Sequence, residues 1–176
     1  MNKFSTKRLC RAGVIVALYV ALTYAFMPFA FGPFQIRPAE ALCVLPLFFP
    51  EAIPALCVGC AISNFTSPYA FFDVAFGTLA TLLSAFGTYF VGKFFKKELA
   101  KIVLGGIFPV ICNALIIPFV IVFLCGGAEG YASVTIAYFT FFASIFLTES
   151  IWVYALGTPV YFGIKRLRAQ NIAFFA

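Results

Sequence analysis

The sequence contains no histidine, and only 10% of its 176 residues are charged. Without histidine the chain cannot form a Ser-His catalytic pair, an HExxH site or a His-ligated metal site. It also lacks the GxxxxGK[ST] loop that holds ATP phosphates, which excludes ATP hydrolysis by that route. Soluble domains carry about 25% charged residues, so this chain has too little polar material to cover a water-facing surface. We therefore expect neither an enzyme nor a soluble domain.

Hydrophobic residues make up 64% of the chain, and its mean hydropathy is +1.06. They are concentrated in charge-free runs at 12–36, 52–72, 74–92, 102–128 and 130–148. Each run reaches or exceeds the roughly 18 residues that indicate a membrane-spanning helix. The runs do not alternate polar and apolar residues as the strands of a membrane barrel do. Backbone groups in hydrocarbon must pair internally, so we predict an all-α integral membrane protein.

The basic residues indicate how the chain is oriented in the membrane. Eleven of the twelve lie in three short segments beside the apolar runs: Lys3, Lys7, Arg8, Arg11; Lys93, Lys96, Lys97, Lys101; and Lys165, Arg166, Arg168. The positive-inside rule places all three segments, and hence both termini, in the cytoplasm, with Arg37 on the opposite side. This distribution favours contact with anionic lipid head groups over nucleic-acid binding.

Turn-forming residues divide the chain into six predicted helices within a single transmembrane domain, 1–176. The predicted helices are about 11–27, 39–49, 52–65, 70–92, 101–125 and 133–163. The second rises only about 16 Å, against a hydrocarbon core of about 30 Å. Charge parity requires an even number of crossings before the lysine-rich loop, so the second and third segments either both span or both re-enter. Four or six crossings remain open at this point.

The six cysteines are scattered through apolar sequence. Cys57 and Cys60 have CxxC spacing, yet they lie inside an apolar segment of a chain without histidine. We predict small packing residues there, with no metal and no cofactor bound by this chain.

Polar side chains inside a membrane are costly enough to be functional candidates. Counting about 1.5 Å per residue from the cytoplasmic ends places Glu149 and Asn113 beyond the midplane. Other polar residues begin or end segments on the same outer side, or lie in the outer loop: Glu40, Asn64, Asp73, Gln35 and Arg37. Trp152 shares a helix face with Glu149. The pattern predicts an outward-facing pocket for a small, flat, polar solute. The alternative is that these groups cap helices or join neighbouring helices by hydrogen bonds.

Small residues recur every four positions on the first helix: Gly13, Ala17, Ala21 and Ala25. Such a stripe lets another helix approach closely. The approaching helix could belong to a partner or to the same bundle, and the pattern does not decide between them.

The segment FGPFQIRPAEAL at 31–42 resembles the QueT family. These proteins are substrate-binding (S) components of energy-coupling factor transporters and are associated with queuosine precursors. The resemblance extends to the residues at 45–46, 50, 53–54, 59–64, 72–73, 77–82 and 113–116.

The resemblance implies a six-helix S component in the plasma membrane of a prokaryote. Such a protein binds a scarce micronutrient from outside. It then docks on a module of a transmembrane coupling protein and two ATPases, which use the ATP. Ala17-x3-Ala21 matches the stripe that faces the coupling protein in S components.

A deazaguanine-type base or queuine would suit the predicted site chemically. Its N–H groups can donate to carboxylates, its carbonyl can accept from Arg, Asn or Gln, and its cation suits a site with several acids. The candidate stacking faces are Phe34, Tyr69, Phe72 and Trp152. Alternatives are an S component for another vitamin or purine, an autonomous secondary transporter, and an assembly subunit without a ligand.

Overall fold

The computed structural model describes residues 6–31, 35–170, 172 and 174. Over these residues the chain is helical with no β-strand, as the sequence predicts. A one-turn helix, Met27–Ala30, follows the first of six main helices. The six are α1 (Thr6–Ala25), α2 (Pro38–Leu47), α3 (Ala52–Asn64), α4 (Ala70–Phe94), α5 (Glu98–Leu124) and α6 (Val134–Ala169). Helices α1, α4, α5 and α6 are long and apolar enough to cross a membrane.

Helix α2 is a 3₁₀ helix of ten residues rather than the α-helix expected over 39–49. At about 2.0 Å per residue it spans about 20 Å. Pro38 at its start and Pro46 within it remove backbone donors, which disfavours a regular α-helix. Eight of the ten residues are buried. Irregular backbone at membrane depth is tolerated where protein surrounds it, so the burial of α2 permits its geometry.

Helix α2 lies at the centre of the bundle, where it contacts all five other helices. The main hydrophobic core forms around it and includes Ile15, Tyr19, Leu42, Leu45, Leu56 and Ala85. A smaller apolar cluster joins α5 to α6 through Ala114, Ile117 and Ile145. This arrangement places the residues at the start of α2 inside the protein.

Glycines allow the close approach of helices in the bundle. A Cβ at Gly59 of α3 would lie 2.9 Å from the Tyr19 Cβ of α1. A Cβ at Gly92 of α4 would lie 3.0 Å from the Leu47 backbone at the end of α2. Lipid tails are as apolar as the side chains, so contacts between helices depend on such small residues.

Ionic contacts gather several helix ends at one end of the bundle, which we call the basic end. Arg11 of α1 forms an ion pair with Glu51 in the α2–α3 turn at 2.7 Å. The Arg11 guanidinium also lies 4.2 Å from the centre of the Phe49 ring. Lys165 near the end of α6 pairs with Glu98 at the start of α5. Since the α2–α3 turn lies at this end, α2 runs toward it and α3 runs away from it.

We predict that the basic end is cytoplasmic, which can be tested by labelling single cysteines on a cysteine-free background. In intact cells an impermeant thiol reagent should label Glu129→Cys, in the α5–α6 loop, and should not label Lys97→Cys. The positive-inside rule is the physical reason for this orientation. Labelling at position 97 without labelling at position 129 would show that the chain has the opposite orientation.

The close contact of α1 and α3 predicts that Gly59→Ala lowers the melting temperature of the purified chain. The added methyl group must push the two helices apart, at a cost of about 1–3 kcal/mol. Gly163→Ala in α6 is the matched control, because a Cβ there meets nothing within 4 Å. It should leave the melting temperature unchanged or raise it, since alanine favours a helix over glycine. Equal melting temperatures for both variants would show that this contact does not constrain the packing.

Candidate ligand-binding site

Seven polar residues that the sequence singles out are buried in the part of the bundle away from the basic end. We call them the polar cluster: Gln35, Arg37, Glu40, Asn64, Asp73, Asn113 and Glu149. None is more than 7% exposed. Glu149 interacts electrostatically with Glu40 and Arg37, and Arg37 does so with Asp73. With the Asn64–Asp73 and Asn113–Glu149 hydrogen bonds, the structure brings residues of five helices and the segment before α2 into one neighbourhood.

Glu40 lies on the first turn of α2 and accepts hydrogen bonds on both oxygens. The Tyr19 hydroxyl of α1 donates to Oε1 at 2.6 Å, the length of a charge-assisted O–H···O bond. The Cys43 thiol donates to Oε2 at 3.1 Å. Residues three apart eclipse each other in a 3₁₀ helix, so the unusual geometry of α2 places Cys43 beside Glu40.

Glu149 of α6 is the acid of the polar cluster that has a buried oxygen without a described hydrogen-bond partner. The Asn113 amide of α5 donates to its Oε1 at 3.2 Å. Its Oε2 is buried without a hydrogen-bond partner among the described residues. A buried acceptor left unpaired costs about 1–3 kcal/mol, and more when it is charged. A ligand that donates to Oε2 would recover this cost.

Asn64 and Asp73 connect the end of α3 to the start of α4. The Asn64 amide donates to the Asp73 backbone carbonyl at 2.8 Å, while the Ser67 hydroxyl donates to Asp73 Oδ2. A Cβ at Gly77 would lie 2.6 Å from Asn64 Nδ2, so a glycine there makes room for the amide. Asn64 Oδ1 has no hydrogen-bond partner among the described residues.

Arg37 brings a positive charge to the polar cluster. Its Nε donates to the Ala30 carbonyl at 2.9 Å, and its guanidinium lies 5.1 Å from the centre of the Phe31 ring. These contacts fix the side chain beside the acids. Gln35, two residues earlier, has a positive φ of 47°, a strained conformation for a residue other than glycine.

Two helices change to π geometry beside these acids. The π segment of α4 is Asp73–Gly77, and that of α6 is Ile151–Leu156, two residues after Glu149. A π segment inserts an extra residue into the turn, often at a functional site. The sequence pattern did not predict either segment.

Three residues of the site were missed by sequence reasoning: Tyr19, Cys43 and Ser67. In the sequence, Tyr19 looks like one more apolar residue of α1. In the structure it lies on the buried face of α1, whose residues recur every four positions: Arg11, Ile15, Tyr19 and Thr23. Period-four spacing could have identified that face. The roles of Cys43 and Ser67 depend on local backbone geometry, which left no signal in the sequence.

The four candidate aromatic residues differ in their burial and contacts. Trp152 is partly buried and packs edge-on against Phe26, with ring centres 6.2 Å apart. Tyr69 is 50% exposed, and Phe72 is partly buried. Phe34 lies outside the described residues. The stacking role predicted for these rings remains a prediction.

The small stripe on α1 faces outward. Gly13, Ala17, Ala21 and Ala25 are all exposed, and a Cβ at Gly13 would meet nothing within 4 Å. Among the described residues, no other helix of the bundle covers this face of α1. The stripe is therefore open to lipid or to a partner.

A cavity of about 830 Å³ lies between α1 and α3 toward the basic end, away from the polar cluster. Its lining is mostly apolar and includes Ala12, Gly13, Val16, Pro54 and Val58. A polar ligand would find few partners there, so we assign the ligand site to the polar cluster. The cavity adjoins the small stripe through Gly13.

The sequence profile of the QueT transporter family matches residues 9–166, which is most of the chain. No curated protein and no solved structure matches the chain. The match includes every described residue of the polar cluster, and the apolar helices are those of a membrane protein. The chain belongs to the QueT transporter family.

Proposed function

We propose that this chain is the substrate-binding subunit of an energy-coupling factor transporter and binds a queuosine precursor, either a deazaguanine-type base or queuine. The observation that carries the proposal is the polar cluster, in which three carboxylates, a guanidinium and three carboxamides are buried together inside an apolar bundle. Membership in the QueT transporter family supports it. Intramembrane ionisable groups are expensive, so a cluster of them marks a substrate site.

The donor and acceptor pattern of the polar cluster suits a guanine-like edge. Adjacent N–H groups of the base can donate to the Glu40 carboxylate, while its carbonyl can accept from Arg37 or Asn113. Glu40 already accepts from Tyr19 and Cys43. A carboxylate has about four acceptor positions, so Glu40 can add ligand bonds or exchange its own donors for them.

The proposed orientation places the polar cluster in the outer half of the membrane. Asn113 lies fifteen residues beyond Glu98, or about 22 Å along α5 from the basic end. If the basic end is cytoplasmic, the site is closer to the outer surface. The ligand would then arrive from outside the cell, as an uptake subunit requires. We propose that all six helices cross the membrane in this orientation, including the short α2 and α3.

The exposed stripe on α1 is the proposed contact with a transmembrane coupling protein, which works with two ATPases. Gly13, Ala17 and Ala21 are exposed. The adjoining cavity between α1 and α3 leaves space that side chains of a partner could fill. Close helix contacts in membranes depend on small residues. We propose that this chain binds neither ATP nor another cofactor, catalyses no reaction and contacts no nucleic acid.

Removing a carboxylate from the polar cluster should weaken ligand binding with the fold retained. Glu40→Gln, Asp73→Asn and Glu149→Gln should each raise the Kd for 7-aminomethyl-7-deazaguanine by about ten- to hundredfold, because each loses a charged acceptor worth 1.4 kcal/mol or more. Calorimetric titration of the purified variants measures this change, and thermal unfolding checks the fold.

Glu129→Gln is the matched control for these variants, because Glu129 is exposed in the α5–α6 loop. Its Kd should stay at the wild-type value. Adenine should bind poorly to the wild type, since its edge reverses the donor and acceptor pattern. Wild-type affinity in all three acid variants would place the ligand elsewhere.

Enlarging the small stripe should separate binding from transport. Ala17→Leu and Ala21→Leu should reduce cellular uptake of the labelled base and co-purification with the ATPases, because leucine holds the partner helix away. Ligand binding should remain, since the stripe faces away from Tyr19 and the polar cluster. Ala143→Leu, at an exposed position of α6, is the matched control and should leave uptake unchanged.

Loss of ligand binding with the complex intact would show that the stripe packs within the bundle instead. Uptake into proteoliposomes by the purified chain alone would favour an autonomous secondary transporter.

A further inference from the structure

Building on the proposed function, we infer that the site selects a base bearing a protonated amine over its neutral analogue, and that the amine binds at Glu149 Oε2.

The charges in the polar cluster do not balance. Glu40, Asp73 and Glu149 can contribute three negative charges, and Arg37 contributes one positive charge. Among the described residues, the other buried basic group is Arg11, which pairs with Glu51 at the basic end. An unpaired buried charge is unfavourable. The cluster must therefore take up protons or a cation, and a cationic ligand supplies the missing charge.

The hydrogen bonds indicate which carboxylate receives the amine. Both oxygens of Glu40 accept from the chain, and Asp73 accepts from Ser67. Glu149 accepts on Oε1 only, and its Oε2 is buried without a described partner. Glu149 is 3% exposed, so bulk water does not satisfy this oxygen. Among the carboxylate oxygens of the polar cluster, it is the buried one that no described residue pairs with, whereas the other unpaired acceptor, Asn64 Oδ1, belongs to a neutral amide.

The field at Glu149 also favours a cation. Glu40 and Arg37 both interact electrostatically with Glu149, and the carboxylates of the polar cluster outnumber its one guanidinium. An ammonium group placed there has two carboxylates within its field. It also has three N–H donors for Oε2 and nearby acceptors.

A neutral substituent at the same place would lose this interaction. A nitrile, for example, has no donor and presents its negative end to the carboxylate. Hydrogen bonds between charged partners are about twice as strong as neutral ones. We expect the aminomethyl base to bind tighter than the cyano base by at least about tenfold, equivalent to 1.4 kcal/mol.

The test is calorimetric titration of the purified full chain with 7-aminomethyl-7-deazaguanine and 7-cyano-7-deazaguanine at one pH and ionic strength. The wild type should prefer the aminomethyl base by at least about tenfold. Glu149→Gln should reduce that preference toward one, mainly by weakening the aminomethyl base. Glu149→Asp, which keeps the charge, and the exposed control Glu129→Gln should both keep the preference.

The outcomes separate this inference from the proposed function. If neither of these two bases nor queuine binds to the wild type, the proposed function fails. If both bind equally well, the function stands and the selection of a cation is wrong. If Glu149→Gln weakens both bases by the same factor, the amine does not bind at Glu149. The wild-type comparison needs no variant, so it remains decisive even if a variant does not fold.

Discussion

The cost of burying charge inside an apolar bundle constrains the rest of this structure. Helix α2 brings Glu40 into the centre of the protein, where water cannot solvate it. The carboxylate is tolerated because Tyr19 and Cys43 donate to its two oxygens. Tyr19 can reach it because Gly59 allows α1 to pack closely against α3. Charge satisfaction and helix packing therefore depend on the same few contacts.

The two ends of the bundle handle charge differently. At the basic end, Arg11 pairs with Glu51 and Lys165 pairs with Glu98. These pairs join the helix ends to one another. In the polar cluster, acids outnumber the single guanidinium, and no residue that the structure describes pairs with Glu149 Oε2. Under the proposed function, the basic end holds the helices together and the ligand completes the polar cluster.

The sequence predicts much of the fold because the membrane restricts what the chain can do. Long charge-free runs must be helices, and the costly polar residues at one depth were expected to lie together. Other features depend on tertiary contacts. The 3₁₀ geometry of α2 follows from prolines in a largely buried segment. The π segments near Asp73 and Glu149 produce no distinctive spacing of apolar residues in the sequence. Tyr19 could not be recognised as a partner of Glu40 before α1 was placed against α2.

The central claim is that the polar cluster holds the ligand, and an experimental structure of the purified chain with 7-aminomethyl-7-deazaguanine tests it most directly. The account predicts the base between Glu40 and Glu149, with its amine within hydrogen-bonding distance of Glu149 Oε2. Ligand found in the cavity between α1 and α3, with the contacts of Glu40 and Glu149 unchanged, would contradict it. In that case the polar cluster would serve only to join the helices.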